Sequence, residues 1–113
     1  MALRLTKPWR PLTPENATAL PGQLGIYELA DAAGNTVEIG FAGARALFGL
    51  RSELQRIAET PPHGATQFRV EINTQYQTRF RELLMVYQAD HGALPPVNAE
   101  RPPINLGRLS PLR

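Results

Sequence analysis

Three short apolar-rich stretches and two longer ones with helical spacing organise the middle of the chain. Leu24-Gly-Ile-Tyr-Glu-Leu29 and Thr36-Val-Glu-Ile-Gly40 read as paired strands. Between them, Gly34-Asn35 in Asp31-Ala-Ala-Gly-Asn35 is a hairpin-type turn signal. Leu47, Leu50, Leu54 and Ile57 then recur at helical spacing, predicting a helix that leaves the Gly/Ala-rich stretch Gly40 to Ala46 and ends near Glu59. Gly49 interrupts its first part, so the regular helix is expected from Leu50, and Thr60-Pro-Pro-His-Gly64 stops it. Gln67-Phe-Arg-Val-Glu-Ile-Asn73 alternates as a half-buried strand. Asn73 or Thr74 is placed to cap a second helix running to about Asp90, with Gly92 behind it. Its apolar stripe is Tyr76, Phe80, Leu83, Leu84 and Tyr87. The expected fold is α+β: a small three-stranded antiparallel sheet flanked by helices, in the order β-β-α-β-α.

Proline separates this middle from the ends. Seven of eleven prolines lie in the first 21 or last 13 residues, where each fixes φ and removes a donor. The expected division is a Pro-rich basic tail over 1–21, a domain over 22–98 and a Pro/Arg-rich tail over 99–113. Trp9 with Leu3, Leu5 and Leu12 in one tail, and Leu106, Leu109 and Leu112 in the other, favour tails laid against a surface. A middle of this size closes only a modest core, so ordered tails, an oligomer or a partner would add burial.

Length and composition exclude several classes. The 113 residues suit one domain. No apolar run approaches the ~18 residues of a transmembrane helix, and the N-terminus lacks the apolar core of a secretory signal; the expectation is a cytoplasmic protein without membrane contact. With no Cys, disulfides, thiolate catalysis and Cys-based zinc sites are ruled out. The net charge of +2 is unevenly placed. Arg4, Lys7 and Arg10 make residues 1–14 +3, Arg101, Arg108 and Arg113 against Glu100 make residues 99–113 +2, and residues 15–98 carry −3. A folded middle of that sign weakens the electrostatic case for binding nucleic acid.

The strand pair holds Gly25-Ile26-Tyr27 and then Glu38-Ile39-Gly40. Arg51 follows on the first helix, Glu82 on the next, and Leu94-Pro-Pro-Val-Asn98 closes the series. Over about residues 22–98 this resembles the GIY-YIG nuclease domain, with Glu38 where the second tripeptide would begin with Tyr. The resemblance implies phosphodiester hydrolysis with one divalent metal, usually magnesium. Glu82 would be the metal ligand, Tyr27 would help generate the nucleophile, and Arg51 would stabilise charge on the phosphate. The chemistry is coherent: carboxylate oxygen suits magnesium, the metal acidifies its water, and a guanidinium fork matches a phosphate.

The residues themselves allow more than one outcome. Arg51 lies about 70° from the middle of its helix's apolar stripe, at the border of core and solvent; Arg45, in the loop after Gly40, is the reserve candidate for nucleic-acid contact. Glu82 points nearly opposite the stripe of its helix. Glu38 reads first as an outward strand residue; otherwise it takes a metal or activates water in place of Tyr, or marks the loss of catalysis, since a carboxylate facing a phosphate repels it. His63 and His91 beside Gly suit turn or capping roles, and Asn98 a backbone-fixing role. Two functions follow as expectations: a magnesium-dependent endonuclease acting on DNA or RNA, or a catalytically inactive GIY-YIG-like accessory subunit whose tails bind a larger protein partner.

Overall fold

A computed structural model describes residues 4–44 and 46–101. The elements in chain order are β1 (Arg10–Pro11), α1 (Pro14–Thr18), β2 (Gly25–Ala30), β3 (Thr36–Ala42), α2 (Gly49–Glu59), a 3-10 turn at Pro62–Gly64, β4 (Gln67–Ile72), α3 (Tyr76–His91) and α4 (Pro96–Glu100). The sheet is antiparallel with order β1-β4-β2-β3.

β2 is an inner strand, between β4 and β3, and is buried along its whole length. Alternation along β2 sends Tyr27 and Leu29 to one face, where they join Leu50, Leu54, Ile57 and Phe68 under α2. Ile26 goes to the other, with Ile39, Phe80, Leu83 and Leu84 under α3. Leu50, Leu54 and Phe68 have no exposed surface, and each such side chain contributes roughly 1.5–3 kcal/mol. Glu28 is the polar exception on the α3 face. Its carboxylate accepts from Thr36 Oγ1 (2.6 Å) and Arg69 Nε (2.8 Å), and the Trp9 ring lies against that guanidinium at 4.1 Å.

The sheet has four strands where three were expected. Arg10 and Pro11 pair with Phe68 and Gln67 of β4, and the Leu12 N–H donates to the Thr66 carbonyl. Two residues carry no periodicity, so only the partner strand reveals this one. Pro11 falls between the hydrogen-bonding positions, where its missing N–H costs nothing. The rest of the N-terminal segment is packed as well. Arg4 forms a bidentate ion pair with Asp90 (2.9 and 2.8 Å), and Leu5 is buried beneath α3. α1 starts with Thr13 Oγ1 accepting from the Asn16 N–H (3.1 Å) and Pro14 in the first turn, a local helix-start signal. The C-terminal tail beyond Arg101 lies outside the described residues.

Helix limits differ in detail. α2 begins at Gly49 with φ +55, and Leu47, counted in its apolar stripe, is 81% exposed. Asn73 accepts from the Gln75 N–H (2.8 Å) ahead of α3. Gly92, at φ +78, ends that helix with its N–H on the Gln88 carbonyl. No helix among the described residues is long and apolar enough to cross a membrane.

Candidate functional site

The hairpin of β2 and β3 sets the candidate site. Tyr27 stands opposite Gly40, and Glu38 opposite Leu29, so all four face α2. Gly40 has no side chain, and the Tyr27 ring lies across it: a Cβ there would be 2.3 Å from Tyr27 Cζ and Oη. The phenol O–H reaches Glu38, donating to Oε2 at 2.9 Å. Arg101 Nη2, arriving from the end of α4, meets the same oxygen at 2.9 Å. The Glu38 side chain is only 3% exposed, and not turned outward as expected, because the pleat sets it beside Tyr27 on the face covered by α2. The first residue of the second tripeptide therefore joins a buried phenol to a half-exposed guanidinium, in the chain Tyr27–Glu38–Arg101.

This environment decides the protonation of Tyr27. Burial, then the negative charge of Glu38 and the hydrogen bond to it, push the phenol far above its ordinary value of 10.0, with Glu53 adding a smaller push. The native state thus holds the phenol proton more tightly than the unfolded chain does. The resulting stability is complete below pH 10 and is lost as the pH rises beyond it, by about 1.4 kcal/mol per pH unit. Urea unfolding across the alkaline range should show that decline, and Tyr27→Phe should remove most of it. An unchanged slope in the variant would place its origin elsewhere.

Asn98, on α4, holds the backbone of the same tripeptide. Its Oδ1 accepts from the Ile39 N–H at 2.9 Å and its Nδ2 donates to the Ile39 carbonyl at 2.8 Å. The side chain thereby stands in for a neighbouring strand on the outer edge of β3. Glu100 on the same helix meets His63 Nε2 at 2.8 Å. Thus α4 is fastened to β3 and to the turn before β4.

Arg51 and Glu82 are not brought to Tyr27. Arg51 Nε donates to the Leu20 carbonyl at 2.8 Å, and its guanidinium lies over the Phe48 ring, tying α2 to the segment after α1. Glu82 is on α3, which packs on the opposite face of the sheet, and it pairs with Arg79. Arg79 is itself buried, with Nε on Glu71 Oε2 at 2.9 Å and Nη2 on Oε1 at 3.1 Å. Desolvation works to raise the Glu71 carboxyl, but hydrogen bonds from Arg79 and Asn73 outweigh it and hold the group below its ordinary value. Arg45 lies outside the described residues.

These positions do not fit the magnesium site that the resemblance implies. A cation at Glu82 would lie beside the buried Arg79 guanidinium, and Tyr27 and Glu38 open onto the other face of the sheet. Among the described residues no three His, Asp or Glu side chains converge as metal ligands. The cleft of about 550 Å³ between the β3–α2 connection and α3 is lined by Phe41, Ala46, Glu53, Tyr76 and Gln77. Its one carboxylate, Glu53, pairs with Arg56 on the same helix.

Sequence reasoning missed Arg79 and Arg101. Arg79 sits one residue before Phe80, at the edge of the α3 apolar stripe. A cation at that position and an acid at Glu71 were the available signal. Nothing local marks Arg101 as a partner of Glu38, because 63 positions separate them.

The arrangement defines a small layered α+β domain with a buried ionic centre. The chain belongs to the DUF7508 family, a domain of unknown function, whose model matches residues 2–90. That match includes the N-terminal segment that supplies β1 and α1. No curated protein and no solved structure matches the chain with significance.

Proposed function

We propose that this chain is a GIY-YIG-like accessory module that does not cleave nucleic acid and acts by binding a larger protein partner. The observation that carries this reading is the sequestration of Glu38 between the Tyr27 hydroxyl and Arg101. A tyrosine that helps generate a nucleophile must give up its proton near neutral pH. Tyr27 keeps its proton and donates it in a hydrogen bond to a buried carboxylate, so it is pushed the wrong way for that role. Arg51 and Glu82, held by Leu20 and Arg79, are engaged in structural contacts instead. The partner is supported by the exposure of large apolar side chains: Leu47 at 81%, Phe48 at 51% and Ile72 at 51%. The N-terminal segment packs on the sheet of its own chain, so a surface of the folded domain rather than that tail carries the contact.

The full chain with magnesium is expected to leave single- and double-stranded DNA and RNA intact. Cleavage that disappears in both Glu82→Ala and Arg51→Ala would overturn the reading and establish the endonuclease. Native size-exclusion of cell lysate should place the chain well above its own 12.5 kDa; a lone monomer would also count against it.

A further inference from the structure

The two edges of the sheet are finished differently. On β3 the Asn98 amide occupies the outward groups of Ile39. On β4 the covering strand stops early. Arg10 lies opposite Phe68, the Leu12 N–H bonds the Thr66 carbonyl, and on the inner side the Asn73 N–H bonds the Leu24 carbonyl. Alternation by two therefore turns the main-chain groups of Gln67, Arg69 and Glu71 toward β2 and those of Phe68, Val70 and Ile72 outward.

Continuing the register of β1 puts Pro8 opposite Val70, and Pro8 has no N–H to give. The chain turns off there: Arg69 Nη1 reaches the Lys7 carbonyl at 3.3 Å, and Leu5 is buried on the α3 face. Val70 and Ile72 thus present outward N–H and C=O groups with no partner among the described residues. Natural sheets cover or charge such an edge. Here it forms the floor of a groove of about 440 Å³ whose walls include Lys7, Pro8, Arg10 and Leu20. Lys7 and Arg10 are exposed. The acid in the groove, Glu71, is already matched by Arg79.

We infer that the uncovered half of β4 is a strand-docking edge that takes an extended acidic segment of a protein partner. Main-chain pairing at Val70 and Ile72 supplies the affinity. Alternate side chains of the incoming strand supply the choice: apolar ones on the face of Leu20 and Ile72, acidic ones on the opposite face toward Lys7, with the Arg10 cation flanking the entrance. Two unmatched main-chain positions spaced by two residues suit a peptide backbone, which nucleic acid does not offer. The inference deepens the accessory reading above by naming the class of its partner.

The test is titration of the full chain with a labelled soluble peptide of alternating Val and Glu, followed by amide hydrogen exchange. The Val70 and Ile72 amides are expected to exchange fast in the chain alone and to become protected with peptide. Val70→Pro removes an outward N–H without touching the ladder to β2, and is expected to weaken binding by at least about tenfold, whereas Val70→Ala is not. Lys7→Glu combined with Arg10→Glu leaves the strand intact and should weaken binding by roughly tenfold, as should replacing Glu by Gln in the peptide. Absence of binding, protection elsewhere on the domain, or equal affinity for the Gln peptide overturns the inference. Protection that grows with chain concentration in the absence of peptide assigns the edge to a second copy and also overturns it. A chain that cleaves nucleic acid yet binds the peptide removes the accessory reading alone; an inactive chain that ignores the peptide removes this inference alone.

Discussion

Gly40→Ala is expected to destabilise the domain by about 2–3 kcal/mol, the upper part of the range for overpacking a core. The added Cβ would lie 2.3 Å from Tyr27 Cζ, 2.3 Å from its Oη and 2.7 Å from Cε2. No real contact of this kind persists, so either the ring moves or β2 and β3 separate. The ring is not free to move, because it is 3% exposed and its hydroxyl donates to Glu38. Displacing it gives up that buried hydrogen bond as well as the packing, and leaves Glu38 Oε2 to the Arg101 guanidinium alone. Separating the strands would break the ladder that holds the edge strand β3 to the sheet. The cause can be isolated by repeating the substitution in a Tyr27→Leu background, where the outer ring atoms are gone. There Gly40→Ala should cost less than about 1 kcal/mol, a coupling well above that of independent sites. Urea midpoints of the four chains measure it. Equal costs in both backgrounds would show that the ring is not what excludes the methyl. The result would also give the glycine of the second tripeptide and the tyrosine of the first a joint packing role that is independent of any catalysis.

Asn98→Ala is expected to cost about 3 kcal/mol, since it orphans two buried backbone groups at roughly 1–3 kcal/mol each. Its amide brackets Ile39, accepting at 2.9 Å and donating at 2.8 Å. Asn98 and Ile39 are 7% and 4% exposed, so little water can replace the lost partner. The damage should extend along α4, because Arg101 reaches Glu38 from the same short helix. Asn98→Asp tests the chemistry more finely. It keeps the acceptor for the Ile39 N–H but turns a carboxylate oxygen toward the Ile39 carbonyl, so a loss close to that of Ala is expected. Hydrogen exchange supplies an independent reading, with the Ile39 amide losing protection while the Leu54 amide in α2 keeps it until global unfolding. A cost below about 1 kcal/mol with Ile39 still protected would mean that α4 does not close this edge.

Much of the architecture was legible because its signals are local. The Gly34-Asn35 turn, the alternation in Gln67–Ile72 and the glycine behind α3 each act within a few residues, and the structure places a hairpin, a strand and a helix end there. The order β-β-α-β-α is present among the observed elements. Leu47 misled for a related reason. Spacing alone cannot tell whether a helix has begun, and the positive φ of Gly49 puts Leu47 before the first turn and out in solvent. The Thr13-Pro14 start of α1 was a local signal too, but five residues within a proline-rich stretch do not build an apolar period.

The candidate site was less legible. Tyr27 and Glu38 meet on one face of the hairpin, although Glu38 reads first as turned outward. Arg51 and Glu82 were placed by motif order, which carries no distance, and in the fold each is drawn to a different partner.

By itself the sequence determined the hairpin, the strand after it and the two longer helices, most of the apolar side chains that face inward, and that the chain has no thiol chemistry. These follow from periodicity, turn residues and composition, which act over a few bonds or need no structure at all. Only the tertiary structure decided that Arg10 and Pro11 complete the sheet, that Arg101 closes on Glu38, that Asn98 replaces a strand beside Ile39, and that Val70 and Ile72 are left uncovered. Each depends on groups far apart in the chain. A hydrogen bond or ion pair of that kind is selected by the packing of two layers against a common sheet, and no local pattern records which partner arrives.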